Sequence, residues 1–288
     1  VGTGTVPHDD DPAGEGGTSV TLPARRRGGL ACHVDDCGLV RRPHDRGWRG
    51  VGTGGGRCWA AGGQNAGMTE TSSADGRVIV VTGANGASGR AVTERLAADG
   101  ALVIAAGRSI RPWDSPKIVP TAVDLLDPDA THRFADEVIS EHGRVDGLIH
   151  LVGGWRGAPS FAGTDLADWT FLHDQVVRTL QHTTLAFHDA LRDAPAGRFA
   201  MVSQPAARRP DARSATYGAA KAAAETWTLA MAASFASAEG GAATILVVKA
   251  LVSEAKPGLT TVDDLAATVS GLWNRPVSEL NGSRLELF

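Results

Sequence analysis

Three features of the sequence predict an α/β fold: a doubly wound parallel sheet of about seven strands with helices on both faces, behind a disordered N-terminal tail. From Arg77 on, short β-branched runs alternate with amphipathic stretches. The glycine-rich turn TGANGASG (82–89) joins the first such run to the first amphipathic stretch. The composition also changes sharply near Met68, the first methionine. Strands that alternate with helices pair in parallel, because each crossover helix returns the chain to the same end of the sheet.

Residues 1–67 contain no Ile, Phe, Tyr, Lys or Met, only the leucines Leu22, Leu30 and Leu39, and nearly half of the 36 glycines. Such a segment cannot bury enough apolar surface to offset the entropy of ordering it. Residues 1–75 are therefore expected to be a disordered, low-complexity tail, and 76–288 the folded domain. MTETSSADGRVIVVTG reads as a natural beginning, so the residues before Met68 are expected to be an over-extended start or a dispensable tail. All three cysteines, Cys32, Cys37 and Cys58, fall in the tail with His33 and His44 nearby. Their spacing lacks the paired knuckles of a zinc site, so no metal is expected. The folded part has no cysteine, which fits the cytoplasm and excludes a disulfide scaffold.

A net charge of −4 with no basic block outside the N-terminus argues against a nucleic-acid partner. No run of about 18 apolar residues appears, so no membrane span is expected, and no secretory signal is evident.

The elements follow in order. RVIVVTG (77–83) is a buried strand by its continuous apolar run. ASGRAVTERLAADG is a helix that ends at Gly100, and ALVIAAG (101–107) is the second strand. KIVPTAVD (117–124) is a weaker third, since Pro120 suits only an edge. A helix over 129–143 with Asp129 as its N-cap leads to the strand 145–154, which runs into a glycine turn. One long helix is expected over 165–193, a strand over 197–203, a helix around Tyr217 to about Ala238, and a strand over 242–250. A helix over 261–273 and a short strand SRLELF complete the domain.

In such a sheet, ligands bind beyond the carboxyl ends of the strands. Gly83, Gly86 and Gly89 lie at one such end, between a strand and a helix. The first turns the chain, the second lets the backbone approach a pyrophosphate, and the third permits close helix–strand packing. The helix N-terminus behind them offers unpaired N–H groups to an anion. Gly83, Asn85, Gly86, Ala87, Ser88 and Gly89 are thus the expected phosphate-binding set, the alternative being a glycine-rich turn without a ligand. Where a cofactor with a free 2′-hydroxyl would call for an acidic residue, the second strand ends in Gly107, Arg108 and Ser109. Arg108 matches a 2′-phosphate and Arg90 would add a second charge, so NADP(H) is preferred over NAD(H); a solvated loop arginine is the alternative. Asp124 and Leu125 would flank the adenine, or Asp124 would simply hold a turn. Val152, Gly153 and Gly154 form the second glycine turn at a strand end. The chain has a single tyrosine, Tyr217, and one of its four lysines, Lys221, follows it by four residues. That spacing puts both on one helix face.

Taken in order, TGANGASG, VDLLD, LVGG and YGAAK resemble the short-chain dehydrogenase/reductases over essentially all of 76–288. The resemblance implies a single-domain Rossmann fold and hydride transfer between a nicotinamide and the carbonyl or alcohol of a small organic substrate. It implies that Tyr217 exchanges a proton with the substrate oxygen, and that Lys221 holds the nicotinamide ribose and tunes Tyr217. An ammonium about 4–5 Å away, acting through an effective dielectric of about 20, would lower the tyrosine pKa by about 2–3 units. It further implies a homodimer or homotetramer built on the Ala-rich helix after Tyr217; internal packing of that helix is the alternative.

The departures from the family pattern are specific. The usual serine, 13 residues before the tyrosine, is replaced by Gln204, with Ser203 one place earlier. Ser203 would face away if the strand is regular there, unless a loop begins at that residue. The family's helix asparagine should fall near Val176, where Gln175 is the nearest amide, and His150 stands in place of an asparagine as a packed residue. Trp155 lines the pocket or belongs to the core. Arg208, Arg209 and Arg213 either face the pocket mouth, favouring anionic substrates, or are a solvated loop. The catalytic set is therefore Tyr217 and Lys221 with Ser203 or Gln204. The alternative function is a catalytically weakened NADP(H)-binding sensor or structural subunit.

Overall fold

The computed structural model describes residues 74–109 and 111–288. The expectations made for residues 1–73, including disorder, the start near Met68 and the three cysteines, lie outside these residues; Ala74 and Asp75, expected in the tail, belong to the fold, with Ala74 buried in the core and Asp75 packed at Gly100.

Among them the chain builds a seven-stranded sheet in which every pairing is parallel. The strands are β1 (Val78–Thr82), β2 (Leu102–Gly107), β3 (Ile118–Ala122), β4 (Gly147–His150), β5 (Arg198–Ser203), β6 (Ala242–Val247) and β9 (Arg284–Glu286), in the order β3-β2-β1-β4-β5-β6-β9. The chain starts in the middle, winds outward to β3, then returns to wind the other way. The crevice between β1 and β4 is therefore the point where the strand order reverses, which is where such sheets bind ligands. A separate two-residue ladder pairs β7 (Leu251–Val252) with β8 (Thr260–Thr261).

Both faces of the sheet are buried, so its central strands are apolar apart from Thr82, His150, Arg198, Ser203 and Thr244. Val78 and Val80 of β1 point to one side, with Leu148, Phe187, Phe199 and Ile245. Ile79 and Val81 point to the other, with Leu96, Ile149, Leu246 and Leu265. The first side is covered by α2 (Pro128–His142), α4 (Thr179–Asp193) and α5 (Ala215–Ser234), the second by α1 (Ala87–Ala98) and α6 (Val262–Ser270). The short helix α7 (Val277–Leu280) leads into β9.

Pro120 sits on β3, at the sheet edge, where a missing N–H costs no ladder bond. The N-cap of helix α2 lies two residues earlier than the sequence expectation. Asp127, not Asp129, is its N-cap and accepts from the Ala130 N–H, because Pro128 takes the first helical position. The stretch expected as one helix over 165–193 is α3 (Leu166–Leu172) and α4 joined by a π-helical segment, His173–Arg178. The helix after Tyr217 ends at Ser234, earlier than expected, and β4 and β6 are shorter than their apolar runs. No described helix is long and apolar enough to cross a membrane. No group of three or more His, Cys, Asp and Glu among the described residues gathers into a metal site.

Candidate active site

The turn between β1 and α1 is shaped by close backbone approach. Gly83 has φ +74°, and a Cβ there would lie 2.8 Å from the Leu151 carbonyl carbon of the neighbouring β4 turn. A Cβ on Gly89 would fall on the Gly83 carbonyl oxygen and 2.7 Å from Ala84 Cα. Gly86 is different. Its φ is −73°, and the nearest atom to a Cβ would be 3.5 Å away. Nothing in the fold requires glycine there, so the open space above its backbone is left for something else to approach. Ala87 and Ser88 are the first residues of α1, whose first-turn N–H groups have no partner within the helix.

A cavity of about 350 Å³ opens beside this turn. Its walls bring together Gly83, Asn85, Gly86, Arg108, Asp124, Leu125, Val152 and Gly153, all anticipated from the sequence. The Asn85 side chain ties the glycine turn to the end of β2 by donating to the Ser109 carbonyl at 2.7 Å. That bond spans Arg108 and fixes the loop that carries it. Asp124 adopts the turn role, accepting from the Leu126 N–H at 3.0 Å through one carboxylate oxygen, while also lining the cavity.

Of the residues expected to bind the cofactor, Ala87, Ser88, Gly89, Tyr217 and Lys221 do not line the cavity, and two further expected participants lie elsewhere. Arg90 does not line the cavity; its guanidinium stacks 4.4 Å from the Trp113 ring and pairs with Glu94 at 3.0 Å. Gly154 packs against Phe171, where a Cβ would meet the ring at 2.9 Å. The second cation of the cavity wall is Arg111, which sequence reasoning missed, together with Leu126, Leu151 and Thr179. Arg111 follows Arg108 by three residues in GRSIRPWD, and that clustering was the signal available. The π-helical turn between α3 and α4 carries Gln175 into the same wall and leaves Val176 buried.

Tyr217 and Lys221 stand on one face of α5, as their spacing requires, with the ammonium 5.8 Å from the ring centroid. Both are buried. Lys221 Nζ donates to the Val202 carbonyl at 2.8 Å and lies 4.0 Å from where a Cβ on Gly153 would be, so it reaches the rim of the cavity. Burial pulls its pKa down to about 8, opposed by Glu225. The expected fall in the tyrosine pKa does not occur in this structure. Burial pushes Tyr217 up to about 12, because withdrawing the phenolate from water costs more than the neighbouring ammonium returns. His150 is buried and held neutral, its pKa pushed down to about 3 by burial first and Lys221 second. It is packed among Thr82, Thr179 and Thr183, with Thr82 Oγ1 at 2.9 Å.

Ser203 and Gln204 part company at the end of β5. The strand is still regular at Ser203, which pairs with Val247. Its hydroxyl therefore turns inward and donates to Glu225 at 2.6 Å, and Glu225 in turn pairs with Arg284 at 3.2 Å. Ser203 lines neither this cavity nor the next. Gln204 lines a second cavity, of about 620 Å³, with Trp155, Arg209, Arg213 and Lys249 on its walls. Trp155 is exposed there rather than in the core. Arg208 is drawn back to Glu225 at 3.5 Å. Gly153 after β4 lines the first cavity, and Trp155, two residues further on, lines the second.

The family model for short chain dehydrogenases matches residues 77–245. No curated protein matches the chain. Among solved structures it is similar to ligand-free aldohexose dehydrogenase from Thermoplasma acidophilum, at 17% identity, covering 75% of this chain and 94% of that one with a TM-score of 0.65. It is similar to 3-ketoacyl-(acyl-carrier-protein) reductase from Brucella melitensis complexed with NADH (20%, 74% and 97%, 0.64). A short chain dehydrogenase from Burkholderia cenocepacia J2315 in complex with NADP is also similar (24%, 74% and 96%, 0.62).

Proposed function

The chain belongs to the short chain dehydrogenase family, and from that premise we propose that it is an NADP(H)-preferring oxidoreductase acting on the carbonyl or alcohol of a small organic substrate. The observation that carries this reading is the meeting of two features at one strand end. A glycine-cradled cavity with two arginines on its wall adjoins the buried Tyr217–Lys221 pair through Gly153.

The cavity suits a dinucleotide: Gly86 leaves its backbone open to a pyrophosphate, and the α1 N-terminus stands behind it. A bound nicotinamide dinucleotide would supply or accept the hydride. The chain's own residues do the rest. Arg108 and Arg111 favour a 2′-phosphate by charge. Replacing Arg108 with Asp should weaken NADPH binding at least about tenfold more than NADH binding. Titration of both nucleotides checks this, and equal losses would remove the NADP(H) preference. Burial keeps Tyr217 protonated at neutral pH, so its phenol is a proton donor, suited to the reducing direction. Lys221, still largely charged at pH 7, stabilises the phenolate left behind. Gln204 offers an amide N–H to the developing oxyanion in place of a serine hydroxyl. The domain is proposed to be 76–288, working as a homodimer or homotetramer in the cytoplasm.

A second reading, a nucleotide-binding protein with little turnover, draws on the commitment of Ser203 to Glu225. A panel of aldehydes and ketones, with NADPH consumption followed by nicotinamide absorbance, separates the two. Oxidation of NADPH by any member supports the enzyme. Tight NADPH binding with no consumption across the panel contradicts it.

A further inference from the structure

The second cavity carries more positive charge than its surroundings balance. Arg209, Arg213 and Lys249 line it, against the single carboxylate of Asp211. Among the described residues none of the three cations has an ion pair, in contrast to Arg208 next door, which turns to Glu225. Lys249 instead rests its ammonium 4.2 Å over the Phe288 ring. The Asp211 carboxylate is already engaged, accepting from the Arg213 backbone N–H at 2.9 Å and held below its usual range by the Ser214 hydrogen bond first. It caps its own loop first, and its attraction to the Arg213 guanidinium is the smallest of its interactions.

The loop is also anchored. The Ala158 N–H donates to the Arg213 carbonyl at 2.8 Å, joining the segment after β4 to the segment before α5 across the cavity. The side chain of Gln204, at the inner wall, is fixed by its bond to the Lys249 carbonyl at 2.8 Å. Arg209 and Arg213 therefore stand on a cavity whose wall includes Gln204, the residue at the position of the expected oxyanion contact, while Lys249 contributes its backbone beside Gln204 and turns its ammonium to Phe288.

We propose that this cavity is the substrate pocket and selects carbonyl compounds that carry an anionic group, carboxylate or phosphate, away from the reacting carbon. The inference rests on the oxidoreductase reading above, and it names the substrate class of that site. The carbonyl end lies toward Gln204 and Gly153, and the anionic end toward Arg209 and Arg213. Exposed cations each add a modest, salt-sensitive attraction, so Arg209 and Arg213 together give a preference of about tenfold.

The test uses matched pairs that differ only in charge: levulinate against its methyl ester, and dihydroxyacetone phosphate against dihydroxyacetone. With NADPH saturating, kcat/KM should favour the charged member of at least one pair about tenfold, with the difference in KM rather than kcat. The pair that discriminates identifies carboxylate or phosphate. In an Arg209→Ala/Arg213→Ala variant the charged-to-neutral ratio should fall towards one, and in the wild type it should shrink as salt is raised. Turnover of both members of each pair with equal kcat/KM overturns the inference and leaves the oxidoreductase reading intact. Calorimetric binding of the charged member alone, with no turnover of either, does the reverse: the anion pocket stands and the enzyme reading falls.

Discussion

The glycine turn at 83–89 and the β5–α5 segment hold the two halves of the site by opposite means. At the turn, backbone meets backbone: a Cβ on Gly83 or Gly89 would collide with main-chain atoms that no rotamer change can move. At β5–α5 the proposed chemistry rests on individually replaceable side chains, of which Ser203, Tyr217 and Lys221 are buried and Gln204 is half-buried. Ser203 is bound to Glu225, and Gln204 occupies the position from which a serine would act. The cofactor half is thus tied to the fold itself, while the proposed catalytic half can change its side chains with the fold unaltered. A family pattern written in backbone geometry persists where one written in side chains diverges.

That contrast can be broken most forcefully at the turn. Gly89→Ala should destabilise the protein by about 3 kcal/mol through overpacking against main-chain atoms, and abolish nucleotide binding. Gly86→Ala should leave thermal stability nearly unchanged, since the site has room and an ordinary φ, yet weaken NADPH strongly by filling the approach to the pyrophosphate. Denaturant unfolding and nucleotide titration of both variants check this, and equal stability losses would refute it.

The catalytic half should respond the other way. Lys221 titrates lower in the folded chain than in the unfolded one, so between pH 10.5 and about 8 only the unfolded chain takes up the proton. Stability therefore falls as pH drops through that window, and the full penalty remains below it. Lys221→Met should relieve the penalty, raising stability at pH 7 by about 2 kcal/mol after the lost bond to Val202, while abolishing turnover. The gain should shrink as pH rises towards 10.5. A variant less stable than wild type at pH 7 would overturn this account of the burial.

The smallest expected effects separate the two candidates for the serine's task. Ser203→Ala should cost about 1–2 kcal/mol of stability, because Glu225 loses a buried donor, with kcat within about twofold. Gln204→Ala should barely change stability and lower kcat about 10²-fold. The opposite pattern would return the role to Ser203.

The sequence made the strand–helix alternation, the sheet's parallel winding and the glycine turn legible, because each is a local pattern with a backbone cause. The edge position of Pro120 follows from its missing N–H in the same way. Other features depend on three-dimensional neighbours. The π-helical turn at His173–Arg178 leaves the apolar periodicity of 165–193 almost unbroken, so nothing in the residues marks it. The true N-cap of α2 was within reach, since Pro128 belongs at the first helical position and points back to Asp127. Arg111 reaches the cavity, and Arg90 leaves it for Trp113, through the path of a loop that has no periodicity to read. The upward shift of Tyr217 needs its burial to be known, and spacing to Lys221 alone suggests the wrong sign.

The central claim, that Tyr217 is the proton-transfer group beside an intact nucleotide cleft, is tested most directly by Tyr217→Phe with turnover and NADPH dissociation constant measured together. The account predicts that kcat falls about 10³-fold while the dissociation constant is unchanged, because the hydroxyl exchanges the proton and lines no part of the nucleotide cavity. A variant that retains wild-type kcat would contradict it.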